Sequence, residues 1–110
     1  MQFRIAEDII RTVGSLHHLT RHVSRRDPDL SKQLRRALNS VGLNAAEGLH
    51  SRDGNRTARL ESAMASGREA IMALRIAAAA GYVPLERVTH EVDALDRIVA
   101  TLYKLAYRAR

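Results

Sequence analysis

Glu47 and His50 stand three residues apart in the run EGLH, a spacing that turns a carboxylate and an imidazole to the same side of a helix. Di-iron bundles use that pairing, but each site needs two copies of it and two further glutamates. No second copy exists, because the residue three before His90 is Arg87. His17, His18 and His22 are close enough to hold one metal ion, yet no further ligand follows them within the same helical stretch. A histidine cluster facing solvent or phosphate is the better reading. Ser15 near His18 and Ser51 near His50 begin a nucleophile and base arrangement, but neither base has a third group to orient it. The glycines are scattered and form no phosphate-cradling loop. The chain has no cysteine, which excludes disulfides, thiolate metal sites and cysteine nucleophiles and fits an intracellular, cytoplasmic setting. The expectation is a non-enzymatic protein with neither metal nor cofactor.

Charge points to a different kind of chemistry. Of 18 basic residues all but Lys32 and Lys104 are arginines, against 12 acidic residues. Guanidinium groups pair bidentately with phosphate and carboxylate, so an arginine-rich surface favours partners that carry those groups. The densest cluster comprises Arg21, Arg25, Arg26, Lys32, Arg35 and Arg36, opposed only by Asp27 and Asp29. These six are the candidate nucleic-acid contacts, with a solvated charged tip as the alternative. Phe3, Tyr82, Tyr103 and Tyr107 lie elsewhere in the sequence, so contact with the nucleic-acid backbone is expected in place of base stacking.

These groups are positioned by helices. Apolar residues recur at helical spacing in four segments, and nothing alternates at period two. The first helix is expected over about Phe3–Ser24, with Ile5, Ile9, Leu16, Leu19 and Val23 inward. Asp27 then Pro28 signal a cap and a first turn, opening a second helix that runs to about Leu49 on Leu34, Leu38, Val41 and Ala45. The segment His50–Asn55 breaks it. A third helix over Arg56–Ala80 presents Leu60, Met64, Gly67, Ile71, Leu74 and Ala78, and its alanine run at 77–80 implies close helix contact. Gly81 caps it, and Pro84 opens a fourth helix with Val88, Val92, Leu95, Val99, Leu102 and Ala106 inward. Four helices of about 33 Å with short connections imply a single-domain, all-α, antiparallel up-down four-helix bundle.

Arg4, Glu7 and Asp8 interrupt the apolar core that an export signal requires, so none is expected. No uncharged run exceeds Ile76–Leu85, far below the roughly 20 residues of a membrane span. Phe3, Ile10 and Leu43 fall off the core stripes of their helices, and His17 continues the line of Phe3 and Ile10. They are the expected subunit interface of a homo-oligomer, with ordinary isolated exposure as the alternative.

The second helix also carries residues that helices usually disfavour: Asn39, Ser40, Gly42, Asn44 and Gly48 all occur between Leu34 and Arg52. Arg36, Ser40, Asn44 and Glu47 border its apolar stripe and suit a polar network that fixes helix pairing, with Glu47 answering Arg36 or Arg35. The stretch SKQLRRALNSVGLNAAEG, Ser31–Gly48, resembles the signature of the four-helix-bundle family of the 23S rRNA intervening-sequence proteins. The matching residues are Gln33, Leu34, Arg35, Arg36, Ala37, Ser40, Val41, Asn44, Ala46, Glu47 and Gly48, and Gly67 with Glu69 and Gly81 with Tyr82 resemble later family positions. Gly42 stands where the family has proline, which predicts a bend near residue 42. The family's first-helix tryptophan is absent, and the arginine after its E-G pair falls later, at Arg52.

The resemblance implies a homopentameric, non-catalytic bundle of bacterial origin. A related branch, the accessory variability determinants of diversity-generating retroelements, implies binding of nucleic acid and of a reverse transcriptase. The resulting expectation is a basic homo-oligomeric adaptor for RNA or DNA backbone, with a reverse transcriptase as a candidate protein partner and no membrane partner. The alternative is a structural assembly module without nucleic-acid affinity.

Overall fold

Asp27 alone separates the first two helices. Its side chain accepts from the Leu30 backbone N–H at 3.0 Å, which satisfies one of the free donors at a helix start, and Pro28 occupies the first turn where its missing N–H costs nothing. The computed structural model describes the backbone of residues 2–108 and the side chains of residues 4–108. Four helices fill that span: α1 (Gln2–Arg26), α2 (Pro28–Leu49), α3 (Asp53–Ala79) and α4 (Leu85–Tyr107), with no strand among the described residues. The chain is an all-α four-helix bundle.

The ends differ from expectation in instructive ways. α1 runs on through Arg26, where Arg25 and Arg26 sit favourably at the negative end of the helix. α3 begins at Asp53, ahead of the expected Arg56, so Gly54 and Asn55 lie inside its first turn. Local bonds support the early start: Arg56 N–H donates to the Arg52 carbonyl at 3.2 Å, and Asn55 Nδ2 donates to Ser51 Oγ at 2.9 Å. Asp53 adopts a φ of 55°, a left-handed conformation that Asp tolerates better than most residues. Pro84 is the extended N-cap of α4 and not its first helical residue. α2 is continuous as a helix through Gly42.

Gly81 ends α3 as expected. With φ of 80° it lets its own N–H reach the Ala78 carbonyl at 3.0 Å and the Tyr82 N–H reach the Ala77 carbonyl at 2.9 Å, the paired bonds of a Schellman cap.

Side chains from all four helices build two adjoining apolar clusters. One gathers Leu16, Leu19 and Val23 with Leu34, Leu38, Leu74, Val88 and Leu95. The other gathers Ile5 and Ile9 with Val41, Ala45, Leu60, Met64, Ile98 and Leu102. Half-buried Val13 packs against both. Of the alanine run, Ala77 is buried and Ala78 half-buried, while Ala79 and Ala80 are exposed. At Gly67 α3 runs close against α4: a Cβ there would meet Val99 Cγ2 at 2.7 Å.

On α4 the buried set is Val88, Glu91, Leu95, Ile98, Leu102 and Ala106. Val92 and Val99, expected inward, are only half-buried. The cause is the 3-4 spacing of a bundle seam, which passes through Glu91 and Ile98.

Candidate functional site

Three surfaces bring the sequence's candidate residues together. The first is a polar ladder between α2 and α3. Asn44 Nδ2 donates to Ser40 Oγ at 2.9 Å and to the Ser40 carbonyl at 3.0 Å, and Ser66 Oγ of α3 donates to Ser40 Oγ at 2.7 Å. Arg59, also from α3, lies 3.4 Å from Asn44 Oδ1 and 3.6 Å from a Glu47 carboxylate oxygen. Ser40, Asn44 and Glu47 therefore share one network, whose other half is Arg59 and Ser66.

Arg36 does not join it. Eleven residues separate Arg36 from Glu47, about 16 Å along a helix, so the pairing is out of reach within α2, and Glu47 answers Arg59 in its place. Arg35 is likewise unconnected to Glu47. Gly48 continues the same helix contact, since a Cβ on it would come within 2.9 Å of Leu60. The small and polar residues of α2 thus act where α3 presses close.

The second surface is cationic. Arg21, Arg25 and Arg26 on α1 and Lys32, Arg35 and Arg36 on α2 are all exposed. The ion pairs among the described residues are Asp8–Arg11, Glu47–Arg59 and Glu91–Arg87, so none of the six is neutralised by a carboxylate. His17 of α1 and Arg35 of α2 line one hollow between the two helices.

Tyr82, expected elsewhere, is brought to this end of the molecule by the α3–α4 connection. Its hydroxyl donates to Asp27 Oδ2 at 3.4 Å, and the Arg26 guanidinium stands 5.7 Å from its ring centroid. An aromatic ring does accompany the patch, but half-buried and stacked under a cation.

The third surface is apolar. Ile10 and Leu43, 64% and 72% exposed, line a single groove between α1 and α2 with Ile9, Val13, Leu38 and Gly42. The groove holds about 380 Å³. Phe3 belongs to α1, but its side chain lies outside the described residues.

The groups that suggested chemistry go to other uses. Ser15 donates to Glu91 at 2.8 Å, and Ser51 donates to the Glu47 carbonyl at 2.7 Å. His17, His18, His22, His50 and His90 are exposed, and no three metal-ligating side chains cluster among the described residues. No described helix is long and apolar enough to cross a membrane.

Four long helices around one apolar interior, tied across α2 and α3 by a polar ladder, define a small helical-bundle protein. Residues 1–104 match the model of the 23S rRNA-intervening sequence protein family, and the chain belongs to that family. Among solved structures it is similar to a Bacteroides thetaiotaomicron protein of unknown function from the S23 ribosomal protein family. That match has 16% identity, covers 93% of this chain and 97% of the other, and has a TM-score of 0.82. At that identity the likeness establishes the fold alone. No curated protein sequence matches the chain.

Proposed function

We propose that the chain is a non-enzymatic, cytoplasmic bacterial adaptor that assembles into a homo-oligomer, a pentamer by family resemblance, and holds RNA or DNA by the phosphate backbone. A reverse transcriptase is the protein partner the resemblance suggests. The helices are read as an antiparallel up-down bundle, since connections of one, three and five residues leave little room for a crossover. The observation that carries the reading is the set of six exposed cations, each without a carboxylate partner among the described residues. Contact with a phosphate backbone would neutralise such a set and release its counterions.

Titration of fluorescent RNA and of a DNA duplex at several salt concentrations tests this. Each phosphate neutralised adds roughly −0.9 to the slope of log affinity against log salt for duplex and roughly −0.7 for single strands. An oligomer repeats the patch, so the slope is steep and sequence preference weak. The triple variant Arg25→Ala, Arg26→Ala, Lys32→Ala should flatten the slope while remaining oligomeric. A flat response in the parent, or an unchanged slope in the variant, removes the nucleic-acid role.

The second reading is a structural assembly module without nucleic-acid affinity. The apolar α1–α2 groove serves it as it serves the adaptor reading, since both need a subunit interface, and the salt titration separates the two.

A further inference from the structure

Glu91 is 1% exposed, at the seam where α1 meets α4. Burying a carboxylate is costly unless its oxygens are paired. Both protein donors, the Ser15 hydroxyl at 2.8 Å and the Arg87 guanidinium at 3.0 Å, end on the same atom, Oε2. Oε1 receives no donor among the described residues. Yet no fully buried side-chain polar atom there lacks a partner, so Oε1 is reached from outside.

The way in is a cleft of about 340 Å³ between the two helices, lined by Asp8, Arg11, Ser15, His90, Glu91 and Arg97 among others. This is the lower end of the roughly 300–1,000 Å³ range of small-molecule sites. It exists because α1 and α4 meet less extensively than the other neighbouring helices and place polar side chains on their shared border.

The charges in the cleft select the ligand class. A bare anion would face the Glu91 carboxylate. A bare cation would face Arg11 and Arg97, while the two acids there, Asp8 and Glu91, each already hold an arginine. Arg11 is already held by Asp8 at 3.1 Å and Arg87 by Glu91, but Arg97 is exposed and in no ion pair among the described residues. A molecule with an ammonium and a carboxylate answers both free groups. Glu91 and Arg97 are six residues apart, about 9 Å along α4, a gap that a long guanidinium side chain and a short ligand span together. We propose that the α1–α4 cleft binds a free amino acid, its ammonium on Glu91 Oε1 and its carboxylate on Arg97.

The test uses the full chain. Its melting temperature is measured with each of the common free amino acids in turn, with n-propylamine and acetate as single-charge controls, and the best ligand is then titrated by calorimetry. At least one amino acid should raise the melting temperature by several degrees while neither control does. Glu91→Gln and Arg97→Ala should each weaken binding about tenfold or more, the scale of a lost charge-assisted hydrogen bond. If Glu91→Gln loses its helical signal, Arg97→Ala decides, because that side chain is exposed and its removal leaves the core intact. The proposal is overturned if no amino acid shifts the melting temperature, if n-propylamine or acetate does as well as the amino acid, or if the folded variants bind it as tightly as the parent.

Discussion

Single side chains in this bundle settle their partners by reach. Glu47 was legible as a polar border residue from its place beside the apolar stripe, but its partner was not, because Arg59 lies on another helix and only the packed pair brings them within 3.6 Å. Glu91 was hidden for the opposite reason. Its position belongs to the inward seam of α4, and a search for apolar residues passes over an acid there in favour of Val92. Tyr107 offers a prediction at this scale. Its hydroxyl donates to Glu61, and that bond, followed by partial desolvation and the carboxylate's charge, raises the phenol above its ordinary 10.0. A raised folded value means that the native state holds its proton longer than the unfolded state. The associated stability is therefore present below pH 10 and lost as pH rises through the folded value. Phenolate absorbance of the parent and of Glu61→Gln, compared across alkaline pH, should show the variant returning the Tyr107 phenol toward 10.0.

At the scale of elements, the four helices and their caps at Asp27 and Gly81 were legible because each signal is local: a capping side chain, a proline, a glycine in left-handed backbone. The start of α3 was less so. Its Asp-Gly-Asn sequence looks like a turn, and the decision rests on bonds made back to Ser51 and Arg52. Glycines inside the helices divide by what surrounds them. Gly14 has open space where a Cβ would stand, so Gly14→Ala should stabilise the chain by about 0.8–1 kcal/mol through helix propensity alone. Gly67 faces Val99 at a hypothetical 2.7 Å, and a β-branched valine has little rotamer freedom with which to yield. Overpacking there costs about 1–3 kcal/mol, which outweighs the propensity gain, so Gly67→Ala should destabilise by about 1 kcal/mol. Denaturant midpoints of the two variants should move in opposite directions, and a rise in both would show that backbone preference alone governs both positions.

At the scale of the whole molecule, the sequence marks Ile10 and Leu43 as surplus to the core, and the fold places both in one groove. What it leaves open is the surface that fills the groove in a neighbouring copy. A ring of more than two subunits is head-to-tail, so its two contacting surfaces differ, whereas a two-fold dimer uses one surface twice. Met72 and Ile76 are exposed one turn apart on α3 and offer a second apolar surface outside the groove. If copies close into a ring by seating that surface in the groove, Leu43→Glu and Met72→Glu should each lower the assembly state, and both should keep far-UV helicity because neither side chain is in the core. Light scattering after size exclusion reads the outcome against the 12.3 kDa chain mass. The parent should elute at several times that mass and each variant well below the parent. A parent that stays monomeric at micromolar concentration removes the assembly. An assembly lost in Leu43→Glu but intact in Met72→Glu keeps the groove as the interface and removes this α3 face from it.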